Sequence, residues 1–172
     1  KRYGLGSSTQ HHKPLWRTVG RNPNVYTFAV KRNPYDRAVS CYYHIKSKHP
    51  YFNKKFPAEL NINDFYHLLA DDPKAWGKFP RRYKHFRQQI VFIRERNKFV
   101  ISEKINRILR FENLNQDWLE MVELLGKSSI AWKNAPKFID AHKNKSIRKH
   151  WREELDEKSI TAINNYYSRD FE

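Results

Sequence analysis

The chain has 172 residues, of which 39% are hydrophobic and 15% aromatic, and this composition excludes a disordered chain. Its 34 Lys and Arg residues against 18 Asp and Glu residues give a formal net charge of +16, so we expect polyanionic partners: nucleic acid, anionic glycans, phosphorylated cofactors or acidic membranes. The single cysteine, Cys41, excludes an intramolecular disulfide framework and a Cys-rich zinc site. No apolar run is long enough to span a bilayer. This length predicts one domain over residues 1–172, with one sizeable core.

The first half of the chain predicts one strong strand between helices. In chain order we expect a short helix at Lys13–Val19, a strand at Val25–Lys31, a helix from Pro34 to about Lys46, a loop over 47–60, and a short helix capped by Asn61 or Asn63. The strand is the best supported of these, because it is rich in β-branched and aromatic residues.

The second half adds shorter elements of both kinds. We expect an irregular basic stretch from Asp71 to Arg87, strands at Lys98–Ile101 and Arg107–Phe111, a helix opened by Asn113 or Asn115 and ended by Gly126, a loop over 127–145, and two closing helices. This order predicts an α/β fold with a small parallel sheet flanked by helices.

The junction between the strand Val25–Lys31 and the next helix is the strongest functional signal. Arg32 follows the strand directly, Asn33 is a typical N-cap residue, and Pro34 suits the first helical position. Free N–H groups and the positive end of the helix dipole are then expected to face the same point as the arginine. This arrangement predicts a site for a phosphate group.

Two further residues on the new helix extend this candidate site. Arg37 and Ser40 follow Arg32 at helical spacing, and a guanidinium and a hydroxyl both suit phosphate oxygens. The structural alternative is that Arg37 pairs with Asp36 or Glu112 and that Ser40 fills a gap. For the whole constellation we favour the functional interpretation.

The adjacent histidines His11 and His12 are candidates for a general base. They lie in a polar stretch that begins with glycine and is typical of a loop, where a histidine can meet substrate and titrate near neutral pH. Spacing alone favours the alternative that both are solvated and have no role. The spacing of the histidines also offers no third ligand for a metal ion, so we predict no metal site.

A basic and aromatic segment, Lys78–Arg87, is a candidate substrate-binding surface. Its interleaved cations and rings can stack sugars or bases and bind anionic groups. A solvated loop with rings docked on the core is an equally good interpretation. The candidate substrate contacts are Arg81, Arg82, Tyr83 and His85.

Four segments resemble the sulfotransferases, in the order found in that family. Phe28-Ala-Val-Lys-Arg-Asn-Pro-Tyr-Asp-Arg-Ala-Val-Ser40 resembles the motif by which the carbohydrate-type branch binds the 3′-phosphate of 3′-phosphoadenosine 5′-phosphosulfate. The other three are His85-Phe-Arg-Gln-Gln89, Ile108-Leu-Arg-Phe-Glu-Asn-Leu114 and Tyr167-Ser-Arg-Asp-Phe171. The resemblance implies a fold like that of the P-loop NTPases and transfer of a sulfuryl group to a hydroxyl of a carbohydrate-type acceptor.

The resemblance also implies roles for individual residues. Arg32 and Ser40 match the family's ligands of the 3′-phosphate, and His11 or His12 stands where the family has its catalytic base. We add Arg37, Lys145 and Arg148 as weaker candidates for nucleotide contacts. The co-substrate would be 3′-phosphoadenosine 5′-phosphosulfate, and the scheme requires no metal. We expect a cytoplasmic protein if the source is bacterial, and a protein of the Golgi lumen if it is eukaryotic.

One family element has no counterpart in the sequence. The loop Pro-Lys-x-Gly-x-Thr-Ser, which holds the 5′-phosphosulfate after an N-terminal strand, either precedes Lys1 or has been lost. Without that strand, apolar residues of Val25–Lys31 should be exposed. A non-catalytic basic module that binds nucleic acid or another polyanion is the alternative function; it explains the charge but not the four ordered segments.

Overall fold

Two parallel strands form the sheet of this protein, whose computed structural model describes residues 26–48, 52, 56–72, 84–95, 100–126 and 148–172. Strand β1 (Phe28–Lys31) pairs with β2 (Arg107–Arg110), so that the first residues of the two strands lie opposite each other and Lys31 lies opposite Arg110. The described helices are α1 (Pro34–Lys48), α2 (Ile62–Asp71), α3 (Ile90–Ile93), α4 (Leu114–Gly126), α5 (Trp151–Glu154) and α6 (Glu157–Tyr166). The predicted α/β architecture is confirmed.

Helix α1 begins where the sequence predicts. The Asn33 side chain accepts hydrogen bonds from the backbone N–H groups of Tyr35 (3.0 Å) and Asp36 (3.3 Å), as an N-cap residue does. Along the helix, Val39 and Tyr42 are fully buried, and so is Ile45 one turn later. This buried stripe fixes the rotation of α1 and therefore the direction in which its first turn faces.

The main core lies between α1, α2 and α6 and consists largely of aromatic rings. Its largest fully buried members are Tyr42, Phe52, Phe65, Tyr66, Phe86 and Tyr167. A second, smaller cluster packs α4 on the sheet through Leu109, Trp118 and Met121. On β1, Phe28 and Val30 are 38% and 41% exposed.

The C-terminal segment is attached to α2 by a polar cluster. Asp156 caps α6 by accepting from the N–H of Ser159 (2.8 Å), and its own N–H donates to the side chain of Asn63 (3.0 Å). His67 contacts the carboxylate of Asp156 at 3.0 Å. These contacts fix α6, and with it the 3₁₀ turn Ser168–Asp170 that reaches the site described below.

Two short elements differ from the sequence-based prediction. Helix α3 was missed, because a single turn of four apolar residues has no periodicity to reveal it. The predicted strand Lys98–Ile101 is not confirmed: residues 96–99 lie outside the described residues, and Ile101 forms an isolated antiparallel bridge with Arg94. In the described part of the chain, no helix has the length and apolarity needed to cross a membrane.

Asp117 should make the stability of the fold depend on acid pH. The side chain and the backbone N–H of Arg110 both donate to its carboxylate and hold the pKa of Asp117 well below its usual range. The unfolded chain titrates near pKa ~3.9, so this contribution is present above about pH 4 and is lost as the pH falls through the lower folded-state pKa. Urea unfolding between neutral pH and about pH 2.5 should therefore show a steeper loss of stability in wild type than in Asp117→Asn. Parallel curves for the two proteins would contradict this assignment.

Candidate functional site

The candidate site lies at the edge of the sheet where both strands end. Because the strands are parallel, the residues that follow β1 and those that follow β2 meet at the same edge, where open α/β sheets bind ligands. The guanidinium carbon of Arg32 lies 4.4 Å from the ring centroid of Phe111. The carboxylate of Glu112 accepts a hydrogen bond from the N–H of Asn33 at 2.7 Å. Glu112 therefore joins the two strand ends, a structural role of the kind predicted for it but with a different partner.

The backbone of Arg32 is held by the side-chain amide of Gln89. The Arg32 N–H donates to Oε1 of Gln89 at 2.9 Å, and Nε2 of Gln89 donates to the Arg32 carbonyl at 2.8 Å. Gln89 is fixed in turn, because its own N–H donates to the Asp170 carboxylate at 2.7 Å and the next N–H, of Ile90, donates to it at 2.9 Å. Segments far apart in sequence thus fix the position of Arg32.

Asp170 is the buried end of this chain of contacts. Burial raises the pKa of Asp170, whereas the two N–H donors and the nearby guanidinium of Arg37 act in the opposite direction. Its oxygen lies 3.8 Å from Nη1 of Arg37. The acid therefore links the C-terminal turn both to the segment before α3 and to α1.

Arg37 makes contacts that neither sequence interpretation predicts. Its Nη2 donates to the backbone carbonyls of His85, at 2.7 Å, and Arg87, and its side chain is 13% exposed. The alternative pairing with Asp36 or Glu112 is not found, since Asp36 pairs with Arg32 and Arg148 and Glu112 accepts from the N–H of Asn33. The contacts of Arg37 give it a structural role that holds the His85 segment and the C-terminal turn on α1. Its buried Nη1 makes no hydrogen bond within the described residues, and the cofactor contact stays a prediction.

The side chain of Arg32 pairs with Asp36, one helical turn later. Nε and Nη2 of Arg32 both lie 2.6 Å from the same oxygen of Asp36, and Nη2 of Arg148 lies 2.6 Å from the other oxygen. Two of the residues predicted to bind cofactor, Arg32 and Arg148, are thereby brought together. Within the described part of the chain, Nη1 of Arg32 and the hydroxyl of Ser40, one turn beyond Asp36, make no hydrogen bond.

The predicted use of free backbone N–H groups at the start of α1 is wrong. The N–H of Asn33 donates to Glu112, those of Tyr35 and Asp36 donate to the Asn33 side chain, and Pro34 has none. The residues that make a good helix start thus also use its donors. An anion at this edge must be bound by side chains, with the helix dipole as a background contribution.

Of the other predicted site residues, one lies among the described residues and the rest lie outside them. His85 lies against α1, where its carbonyl accepts from Arg37 and from the Cys41 thiol (3.1 Å) and its ring packs edge-to-face on His44. The remaining candidates lie outside the described residues: His11, His12, Arg81, Arg82, Tyr83 and Lys145. Among the residues that are described, no group of three or more His, Cys, Asp or Glu side chains is arranged to hold a metal ion.

Sequence reasoning missed three residues that organise the site: Asp36, Gln89 and Asp170. The last two do fall in segments that resemble the family, but their contacts cross long sequence separations. Asp36 carried a detectable signal, since an acid four residues after an arginine in a helix start is a typical ion-pair spacing.

Comparison with known proteins agrees with this geometry. The model of the sulfotransferase family matches residues 6–172, nearly the whole chain and all four ordered segments. Neither the curated proteins nor the solved structures gave a match. The chain has an α/β fold, an arginine at the carboxyl edge of a parallel sheet, and a family match over residues 6–172. It therefore belongs to the sulfotransferase family of enzymes.

Proposed function

We propose that this protein transfers a sulfuryl group from 3′-phosphoadenosine 5′-phosphosulfate to a hydroxyl of a carbohydrate-type acceptor. The family match supports sulfotransferase activity in general, and the observation that supports this donor is the placement of Arg32. Its backbone is held at two points by Gln89, its ring-facing side is covered by Phe111, and its Nη1 edge makes no hydrogen bond within the described residues. A fixed guanidinium with an available edge suits a terminal phosphate.

The proposed nucleotide site combines Arg32, Ser40 and Arg148, with Lys145 as a predicted addition. Two guanidinium groups and one carboxylate, Asp36, leave a net positive charge at the edge of the sheet, as a 3′-phosphate requires. The Ser40 hydroxyl can donate a further hydrogen bond. Arg37 stays a predicted nucleotide contact: its Nη2 donates to backbone carbonyls, whereas its buried Nη1 makes no hydrogen bond within the described residues.

The proposed chemistry assigns the general base to His11 or His12. When bound, the nucleotide supplies an activated sulfuryl group. The histidine takes the proton of the acceptor hydroxyl as the acceptor oxygen bonds to sulfur and the bond from sulfur to the bridging phosphate oxygen breaks. Nearby cations stabilise the charge that develops on the phosphate, and binding both substrates in line lowers the entropic part of the barrier.

The acceptor is proposed to be a polyhydroxylated or anionic glycan. The net charge of +16 favours an anionic partner, and the basic, aromatic segment around Arg81, Arg82, Tyr83 and His85 has the side chains that contact sugars. These four residues remain predicted substrate contacts.

Replacing Arg32 by alanine should weaken nucleotide binding at least tenfold. The loss corresponds to about 1.5–3 kcal/mol, the usual contribution of a hydrogen bond to a charged group. Isothermal titration of the full-length protein with adenosine 3′,5′-bisphosphate measures it directly. Arg107→Ala is the matched control, because Arg107 lies at the opposite end of β2 and pairs with the exposed Glu120 at 2.8 Å.

The same titration separates the two candidate functions. If wild type does not bind the bisphosphate far above micromolar concentration, the proposed donor is wrong. If binding is found but Arg32→Ala and Arg107→Ala weaken it equally, Arg32 is not a ligand. Tight binding of any polyanion with a steep loss of affinity in salt, and no preference for this nucleotide, would favour the nucleic-acid alternative.

A further inference from the structure

The carboxylate of Asp36 stands between the two arginines of the proposed nucleotide site. One oxygen lies 2.6 Å from both Nε and Nη2 of Arg32, and the other lies 2.6 Å from Nη2 of Arg148. All three side chains are largely enclosed, with exposed fractions of 20% for Arg32, 20% for Asp36 and 12% for Arg148. The single acid is thus fully engaged by two cations from opposite ends of the described chain.

An acid beside a phosphate site has two opposite effects. Its charge repels a bound anion and partly neutralises the arginines, which lowers affinity. It also removes the mutual repulsion of two adjacent guanidinium groups and restricts side chains that each carry about 2 kcal/mol of rotamer entropy. The second effect raises affinity, because ordered donors lose less entropy when the ligand binds.

The local packing favours ordering over repulsion. Arg32 is already fixed through its backbone by Gln89 and through its guanidinium by Phe111, so Asp36 completes its placement without using its Nη1 edge. Arg148 lies just before α5, in a different segment from both Arg32 and Asp36. Its contact with Asp36 joins that segment to the first turn of α1.

We propose that Asp36 is a positioning residue that holds Arg32 and Arg148 together as one two-arginine site for the 3′-phosphate of the nucleotide. This inference rests on the proposed function and adds Asp36 as the residue that couples the two arginines. The carboxylate does not touch the ligand. It sets the spacing and direction of the two guanidinium groups that do.

The direction in which one substitution changes nucleotide affinity tests this inference. In Asp36→Asn the side chain keeps its size but retains one acceptor oxygen, so one arginine loses its partner. We expect the affinity of the full-length protein for adenosine 3′,5′-bisphosphate to fall about tenfold, the size of one charged hydrogen bond. Affinity for adenosine 5′-monophosphate, which lacks the 3′-phosphate, should change less than about twofold. Glu120→Gln, which removes a carboxylate paired with Arg107, is the matched control and should change neither affinity.

Two further variants keep the test independent of folding. Asp36→Glu preserves the charge and should recover part of the selectivity for the bisphosphate. Arg148→Ala should show the same selective loss as Asp36→Asn. The double variant should lose less than the sum of the two single losses, because Asp36 acts partly through Arg148.

Several outcomes would overturn the inference. Tighter binding of the bisphosphate by Asp36→Asn would show that the carboxylate mainly repels phosphate. Equal losses for both nucleotides would show a general structural role, and an unchanged Asp36→Asn variant would show none. Wild type that fails to distinguish the two nucleotides would overturn the proposed function itself, whereas normal wild-type selectivity with any of these results overturns the role of Asp36 alone.

Discussion

Replacing both His11 and His12 by alanine is expected to reduce sulfuryl transfer by about 10²–10⁴-fold, the usual contribution of a general base. The acceptor hydroxyl is a weak nucleophile until its proton is removed, and the resemblance to sulfotransferases puts the base in this pair. Nucleotide binding should persist, because the proposed phosphate ligands are other residues. Initial rates with a glycan acceptor, measured beside titration with adenosine 3′,5′-bisphosphate, separate the two effects.

The two single variants then identify the base. One of them should retain nearly full activity and the other should lose it, together with the limb of the pH–rate profile that reports the histidine. His67→Ala is the matched control, because His67 lies on α2, pairs with Asp156 and is not a proposed site residue, so the substitution should leave transfer unchanged. Full activity in the double variant would exclude both histidines.

Asp170→Ala is expected to lower the free energy of unfolding by about 3–5 kcal/mol, the largest loss of stability predicted for this protein. This is the usual cost of breaking a buried charged pair. The side chain is fully buried, accepts the N–H groups of Gln89 and Ile90, and lies 3.8 Å from Arg37. Its removal leaves the N–H groups of Gln89 and Ile90 without their acceptor, and it takes away the carboxylate that lies 3.8 Å from the largely buried guanidinium of Arg37. Urea unfolding followed by tryptophan fluorescence measures the change.

The matched control for this experiment is Asp71→Ala. Asp71 also pairs with a cation, Lys158 at 3.0 Å, but its side chain is 65% exposed, so the loss should stay below about 1 kcal/mol. Asp170→Asn, which keeps one acceptor oxygen, should fall between the two. If Asp170→Ala is as stable as Asp71→Ala, the buried network does not contribute as the structure indicates.

Sequence signals predicted a helix or strand well where that element depends on residues close to one another in the chain. Asn33 and Pro34 placed the start of α1 to the residue, and the apolar run before them located β1, although the strand is shorter at its N-terminal end than predicted. Asn61 caps α2 through the N–H of Asp64, one of the two positions proposed. Short-range rules suffice here because caps and strand propensity depend on neighbours in sequence.

The same rules failed where contacts cross the fold. The structural alternative for Arg37 named Asp36 or Glu112 as its partner, yet Arg37 binds the carbonyls of His85 and Arg87. Helix α3 is a single turn whose first N–H is taken by Asp170, so its stability depends on a residue 80 positions away. A pattern in a short window carries no information about such partners.

The sequence alone determined that an arginine follows a strand and precedes a capped helix, and that this segment resembles a phosphate-binding motif. These properties depend on residues next to one another in the chain. The tertiary structure decided which donors remain for a ligand. It showed that Glu112 accepts the N–H of Asn33, that the Asn33 side chain accepts the first N–H groups of α1, and that Asp36 brings Arg148 to Arg32. The physical reason is that the availability of a hydrogen-bonding group depends on what the whole chain packs around it.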